Sequence, residues 1–260
     1  MTQPEKSYEY WQDLYLLHSE TKGFRVLVQK TKDIIHQYLD LGVKSYGSIS
    51  GGKDSTAMMH LIHSVAPNTG FVSEKDDMDF PGELEYMRLL ETRYKLSLTI
   101  LSPEVKLWDI LINHDFTEDI HSKGIDFSDR YFYDILKAYQ KENNYKGVFL
   151  GLRAKESKGR LWNVKTNGNI YYNQDWQQLV CQPLAQWSAK DVFAYLFANE
   201  VPTLDVYFKT KFVESPEEIR KSWILPSAQS SQGQALWLKY YYPEIYQKLC
   251  TVNPKLRAFI

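Results

Sequence analysis

The residues Ser50–Ser55, which read Ser-Gly-Gly-Lys-Asp-Ser, have the side chains and spacing of a phosphate-binding turn. They separate an apolar run from a helix-like pattern, so backbone N–H groups and the positive end of a helix dipole face one space. Gly51 and Gly52 let the backbone approach an anion. Lys53 adds a positive charge, and Ser55 adds a hydroxyl at the start of the helix. The spacing is too short for the G-x-x-x-x-G-K-[ST] loop, so we predict a different phosphate-binding turn.

Strand-like and helix-like patterns alternate on both sides of this turn. Strands are predicted at 43–50, 70–73, 96–101 and 147–152, and helices at 8–41 with a break at Gly23, 55–65, 84–94, 105–113, 132–143 and 191–199. This alternation predicts a parallel sheet with helices on both faces. Ligands of such sheets bind beyond the carboxyl ends of the strands. Gly51 and Arg153 both follow a predicted strand, which places them at that edge.

Composition limits the class of protein. The chain has 260 residues, of which 43% are hydrophobic, and a formal charge of −1. It therefore has no global basic field for nucleic acid, and a polyanionic substrate would need a local patch or a partner. The first residues lack the order of a signal peptide, and no apolar run approaches the ~20 residues of a membrane span. We expect a soluble, cytoplasmic protein that does not bind membranes.

Two further segments identify a family. Residues 151–157 read G-L-R-A-K-E-S, and residues 183–195 read P-L-A-Q-W-S-A-K-D-V-F-A-Y, followed by Val-Pro and Tyr207. The turn at 50–55 resembles the PP-loop, S-G-G-x-D-S, of ATP pyrophosphatases, and the later segments are similar to signatures of the phosphoadenosine phosphosulfate reductase family. Phe193 stands where that family usually has tryptophan. Three motifs in family order identify the chain as a member over residues 43–208.

This resemblance implies a fold, a domain division and a site. The fold is α/β, an adenine nucleotide alpha hydrolase-like (PP-loop) parallel sheet, with an N-terminal helical segment (1–42), a core (43–208) and a C-terminal helical extension (209–260). The expected ligands are ATP and Mg²⁺, with cleavage between the α- and β-phosphates. The implied nucleotide-binding residues are Ser48, Ser50, Gly51, Gly52, Lys53, Asp54, Ser55, Gly151 and Arg153. Of these, Lys53, Asp54 and Arg153 are the candidate catalytic residues, and we expect Lys53 and Asp54 in an exposed turn.

The sequence gives no firm metal ligand. An acidic stretch after the second predicted strand contains Asp77 and Asp79, and either could contact Mg²⁺. The alternative is a solvated acidic loop, because the register against the family pattern is displaced here. Mg²⁺ in such sites bridges phosphates and takes few protein ligands.

The two cysteines, Cys181 and Cys250, argue against thiol chemistry. Sulfonucleotide reductases use a cysteine in an E-C-G-L-H segment, which the last residues of this sequence lack. The ATP pyrophosphatases of DNA phosphorothioation systems, which this chain resembles, have an R-x-x-C-x-x-C-P-like segment before a final helix, here predicted at 238–244. Ser222 and Leu225 stand where its cysteines would be, so we expect no iron–sulfur cluster. Sulfur would then come from a partner such as a cysteine desulfurase.

The leading hypothesis is an ATP pyrophosphatase that adenylates an acceptor for sulfur transfer, with the DNA backbone phosphate of phosphorothioation as the acceptor. Alternatives are an ATP sulfurylase small subunit-like or FAD synthetase-like nucleotidyltransferase, or a nucleotide-binding module without turnover. Candidate acceptor-binding residues are Lys158, Arg160 and Lys165. Lys221 is predicted to extend this basic strip. We expect Arg153 to serve ATP and Arg160 the acceptor, and a homodimer is left open.

Overall fold

The structure is a computed structural model that describes residues 5–75, 79–103, 106, 108, 134–221, 231–252, 254 and 257. Six strands form one sheet: β1 (Ser45–Ser48), β2 (Gly70–Glu74), β3 (Ser97–Leu101), β4 (Gly147–Leu150), β5 (Ile170–Asn173) and β6 (Gln178–Cys181). Their order is β3-β2-β1-β4-β6-β5. Neighbouring strands are parallel except β5 and β6, which pair antiparallel. The predicted α/β class is confirmed, and the parallel sheet acquires an antiparallel edge.

Helices connect the strands of this sheet, and further helices precede the first strand and follow the last one. They are α1 (Tyr8–Ser19), α2 (Lys22–Leu39), α3 (Lys53–Val65), α4 (Glu83–Tyr94), α5 (Asp134–Glu142), α6 (Lys158–Asn167), α7 (Ala189–Ala198), α8 (Ser231–Tyr241) and α9 (Pro243–Val252). Short 3₁₀ turns span Ala154–Glu156, Asp205–Phe208 and Pro216–Glu218. In the described ranges, none of the helices combines the length and the apolarity that a membrane crossing requires.

Local chemistry explains where these helices begin and end. The predicted helix 8–41 divides after Ser19, because the Thr21 hydroxyl accepts a hydrogen bond from the Phe24 N–H and starts α2. The break predicted at Gly23 is therefore wrong, since Gly23 lies inside α2. The helix predicted at 238–244 is also divided, because Pro243 begins a new helix. Most of the helix predicted at 105–113 lies outside the described residues.

The N-terminal helices pack on the core of the molecule. The Tyr15 ring stacks on Phe193 of α7 with 5.0 Å between ring centroids, and His18 Nε2 lies 2.7 Å from Asp191 Oδ1. The Trp187 indole N–H donates to the Thr31 hydroxyl of α2 at 2.8 Å. These contacts couple α1 to α7 and α2 to the segment just before α7, while the domain boundaries at 42 and 208 stay predictions.

The strand order places a binding crevice beside β1. The chain leaves β1 for β2 and β3 on one side and later returns to β4 on the other side. Ligands in open α/β sheets bind at this kind of switch point, beyond the carboxyl ends of the strands. The turn after β1 and the segment after β4 therefore face each other there.

Candidate phosphate-binding site

The turn after β1 needs its glycines for two separate reasons. Gly51 has φ +75°, a conformation that glycine adopts without strain. A Cβ at this position would also lie 3.3 Å from Met87 Sδ and 3.5 Å from Glu83 Oε1. Gly52 is the N-cap of α3, and a Cβ there would lie 3.3 Å from the Tyr207 hydroxyl. A side chain at position 51 would be strained by the backbone conformation, and one at position 52 would require the Tyr207 hydroxyl to move by a few tenths of an ångström.

Side-chain hydroxyls organise the N–H groups of the turn. The Ser50 N–H donates to Ser55 Oγ at 3.1 Å, and the Ser55 hydroxyl donates to the Gly52 carbonyl at 3.0 Å. The Lys53 N–H donates to the Tyr207 hydroxyl at 2.9 Å. Burial raises the pKa of Tyr207, so its hydroxyl stays neutral. The turn is held in shape by its own serines and by a tyrosine that lies far away in the sequence.

An ion chain joins the turn to the segment after β4. Lys53 Nζ lies 3.3 Å from Asp54 Oδ2, and Arg153 Nε donates to Asp54 Oδ1 at 2.5 Å. Arg153 Nη2 lies 3.2 Å from Glu156 Oε1, and Arg160 binds the other oxygen of Glu156. Three cations thus share two carboxylates, which leaves one positive charge in excess for an anion.

This ion chain corrects two expectations from the sequence. Lys53 is only 4% exposed and Arg153 6%, and Asp54 lies in the first turn of α3, so the exposed turn predicted for Lys53 and Asp54 is wrong. The Lys53 ammonium lies 5.1 Å from the centroid of the Tyr207 ring. Arg160 does not stand apart from Arg153, because both bind Glu156.

Gly151 allows the end of β4 to pack directly against the first turn of α3. A Cβ at Gly151 would lie 2.9 Å from Ser55 Cα and 3.0 Å from the Ser55 nitrogen. Both are backbone atoms of α3 and cannot rotate away. The end of β4 reaches the first turn of α3 because position 151 has no side chain. Ser48, the last residue of β1, pairs with Leu150 in the same ladder.

A second charged cluster lies on the other side of the turn. The Glu83 side chain is 0% exposed; it accepts from Lys75 Nζ at 2.6 Å and from the Phe80 N–H at 3.2 Å. Lys221 binds both Glu83 and the Ser50 carbonyl. Burial lowers the pKa of Lys221, and Glu83 opposes that shift. A lysine from the C-terminal part of the chain therefore fixes one carbonyl of the turn at Ser50–Ser55.

This cluster also bears on the predicted metal contacts. Asp79 Oδ2 lies 3.0 Å from Lys75 Nζ, so this carboxylate is paired with a cation. Asp77 lies outside the described residues. Within the parts of the chain that the structure covers, no group of three or more His, Cys, Asp and Glu side chains could hold a metal ion. Mg²⁺ at this site would depend mainly on phosphate oxygens and water.

The sequence did not reveal the roles of Glu83, Tyr207 and Lys221. Glu83 ends the acidic stretch that contains Asp77 and Asp79, and Tyr207 is a position of the family pattern for which the sequence implies no contact. The sequence predicts that Lys221 extends the acceptor strip, whereas the structure places its ammonium on the Ser50 carbonyl. A single sequence does not show which distant residues contact each other, so it contains no signal for the contact of Lys221 with Glu83.

A cleft of about 320 Å³ opens at this edge of the sheet. Its lining combines four cationic and three acidic side chains with one alanine: Lys53, Arg153, Lys155, Arg220, Glu156, Glu217, Glu218 and Ala189. Burial raises the pKa of Glu217. The cleft can hold an anion against Lys53 and Arg153, at the end of β4 and the start of α3.

This fold and site define a nucleotide-binding α/β protein of the PP-loop class. The model of the phosphoadenosine phosphosulfate reductase domain matches residues 45–252. The chain therefore belongs to the phosphoadenosine phosphosulfate reductase domain family, as the three motifs predicted. A phosphoadenosine 5′-phosphosulfate reductase of Xanthomonas oryzae pv. oryzae is 25% identical over 193 residues, which cover 73% of this chain and 75% of the relative.

Other relatives show how widely the fold is shared. An uncharacterised protein of Methanocaldococcus jannaschii is 25% identical over 236 residues, which are 85% of this chain, and the chain spans about half (51%) of that relative's length. The phosphoadenylyl-sulfate reductase of Candida auris, solved as a phosphate complex, has a TM-score of 0.54 at 16% identity and covers 78% of this chain and 91% of its own. Candida glabrata FMN adenylyltransferase with FAD and inorganic pyrophosphate has a TM-score of 0.52 at 17% identity and covers 76% and 67%. These two structures share the fold.

Proposed function

We propose that this protein is an ATP pyrophosphatase that converts ATP to AMP and pyrophosphate and transfers the AMP to an acceptor for sulfur transfer. The acceptor in this proposal is a backbone phosphate of DNA. The observation that carries it is the ion chain Lys53–Asp54–Arg153, which joins a complete PP-loop to the end of β4 at the mouth of the cleft.

The charges support cleavage at the α-phosphorus. The pyrophosphate leaving group gains negative charge as the bond breaks, and fixed cations stabilise that charge. Lys53 and Arg153 line the cleft and are already oriented by Asp54. A bound polyphosphate competes with Asp54 and Glu156 for these cations. Mg²⁺, when bound with the nucleotide, would neutralise part of the phosphate charge.

The cysteines of this chain support sulfur delivery by a partner. Cys181 and Cys250 are both buried, and burial raises the pKa of the Cys181 thiol. A thiolate is the reactive form of cysteine, so neither side chain is suited to attack a substrate in the cleft. A persulfide from a cysteine desulfurase would instead displace AMP from the adenylated acceptor.

The experiment that tests this proposal identifies the products. ATP labelled at the α-phosphate, and in a parallel reaction at the γ-phosphate, is incubated with the protein and Mg²⁺, with and without DNA, sulfate or FMN, and the products are separated by thin-layer chromatography. Pyrophosphate that increases with DNA, together with α label carried by the DNA or released as AMP, supports the proposal. ADP and orthophosphate contradict ATP pyrophosphatase activity. AMP formation only with sulfate, or FAD formation with FMN, would assign a small-molecule acceptor instead, and tight ATP binding without product would indicate a binding module.

A further inference from the structure

Helix α6 exposes a tryptophan beside the phosphate-binding cleft. Trp162 is 68% exposed, whereas the other tryptophans that the structure describes are buried or half-buried: Trp11, Trp108, Trp176, Trp187 and Trp237. Within the described part of the chain, Trp162 makes no ring contact or hydrogen bond. Large aromatic side chains are among the most buried on average, so this exposure is unusual for a folded domain.

The position of Trp162 on the helix separates it from the core. Val164 is the buried residue of α6, and Arg160 turns toward Glu156. At 100° per residue, Trp162 stands about 200° around the helix from both of them. Lys158 and Lys165 lie four residues before it and three after it, so they share its outward face. Trp162 is thus flanked by two exposed lysines on one surface.

Charge indicates what this face binds. Lys158 and Lys165 lie about 10 Å apart along the helix axis, and the face carries no carboxylate between them. Lys155, one turn before Lys158, lines the cleft, so the positive charge continues from the cleft to this face. An aromatic ring between lysines matches nucleic-acid sites in which bases stack on the ring and cations contact phosphates.

We propose that the face formed by Lys158, Leu161, Trp162 and Lys165 binds the acceptor strand, with Trp162 stacked on an unpaired base. This inference rests on the proposed function and names its substrate class more closely. A base inside a duplex cannot stack on a side chain, so the acceptor is single-stranded or locally unpaired nucleic acid. The lysines hold the phosphates on either side of that base, and the nucleic-acid strand continues past Lys155 into the cleft.

Fluorescence anisotropy of a labelled single-stranded oligonucleotide, and of its duplex, tests the inference. The wild type should bind the single strand more tightly than the duplex. Trp162→Ala should weaken single-strand binding about tenfold or more, whereas Trp162→Phe should retain most of it. The matched control is Leu17→Ala, which removes an apolar side chain that is 71% exposed on α1, and it should bind as the wild type does.

The lysines are tested by the salt dependence of the same binding. Lys158→Met with Lys165→Met should lower the slope of log K against log salt by about 1.4, since each phosphate contact on a single strand contributes about 0.7. Lys22→Met with Lys30→Met, two exposed lysines of α2, is the control and should leave the slope unchanged. Wild-type affinity in the Trp162→Ala variant would overturn the inference. The inference would also be overturned if Trp162→Ala bound DNA normally but no longer bound a cysteine desulfurase. In that case the face would be a protein-binding surface.

ATP turnover separates this inference from the proposed function. Without nucleic acid, pyrophosphate release should be equal in the wild type and Trp162→Ala, because Trp162 does not line the cleft. If no AMP and pyrophosphate form at all, the proposed function fails. Trp162-dependent binding of the single strand would still support the stacking contact.

Discussion

Arg153 Nε lies 2.5 Å from Asp54 Oδ1, so the segment after β4 is tied to the first turn of α3 through one charged hydrogen bond. This contact orients the Arg153 guanidinium toward the cleft and away from solvent. The orientation of a cation before the substrate arrives is the usual source of electrostatic stabilisation in a transition state.

The first prediction concerns Asp54. Asp54→Asn keeps the size of the side chain but removes the charge that orients Lys53 and Arg153, so pyrophosphate release should fall about 100-fold. Asp33→Asn, on the exposed face of α2, is the matched control and should be fully active. Activity is measured by pyrophosphate release and folding by circular dichroism. Full activity of a folded Asp54→Asn protein would show that the ion chain has no part in catalysis.

The second prediction concerns Lys221. Lys221→Met leaves buried Glu83 with Lys75 as its remaining cation and frees the Ser50 carbonyl, so the free energy of unfolding should fall by about 1–3 kcal/mol. ATP affinity should fall as well, because the turn is less fixed. The control is Lys239→Met on the exposed side of α8. Urea unfolding and ATP titration are the measurements, and equal ATP affinity in both variants would contradict the proposed positioning role.

The third prediction compares two glycines. Gly151→Ala places a Cβ 2.9 Å from Ser55 Cα, so it should cost about 1–3 kcal/mol and reduce ATP binding. Gly159→Ala in α6 meets nothing within 4 Å and should stabilise the protein by about 0.5–1 kcal/mol. Chemical denaturation of both variants tests the pair. If the two substitutions change the free energy of unfolding equally, position 151 has room for a side chain and the prediction is wrong.

The fourth prediction concerns pH. Burial lowers the pKa of His60 to about 4 from its usual 6.5, and His60 Nδ1 lies 2.9 Å from the Tyr195 hydroxyl. The unfolded chain takes up a proton at His60 between pH 6.5 and 4 while the folded chain does not, so stability falls as the pH is lowered through this window. His60→Gln should make that loss smaller, whereas His36→Gln, an exposed residue of α2, should not. The measurement is denaturant unfolding at several pH values, and parallel pH curves for wild type and His60→Gln would refute the assignment.

The fifth prediction concerns the cysteines. Cys181→Ala with Cys250→Ala should keep pyrophosphate release close to the wild-type rate, because both thiols are buried away from the cleft. Each substitution should cost about 1 kcal/mol of stability, which is typical of a single core change. Activity and thermal unfolding are measured on the same sample. Loss of activity without loss of folding would restore a thiol to the mechanism.

The sequence alone determined the parts of the protein that depend on neighbouring residues. The turn at Ser50–Ser55 combines glycines, a lysine and hydroxyls within six positions, and its chemistry follows from that spacing. The first four strands and helix α3 follow from apolar periodicity. Helix α6 was missed as an element because Val164 is its one buried residue, so no apolar stripe marks it.

Only the tertiary structure decided how distant residues complete the site. Tyr207 accepts from the Lys53 N–H across 154 positions, and Lys221 reaches the Ser50 carbonyl across 171. Nothing in the local pattern around either residue indicates its partner, because such contacts depend on the path of the whole chain around the sheet. The same holds for Trp162: the sequence gives a tryptophan, and only the packing of Val164 with Ala154 and Ala185 turns that tryptophan toward solvent.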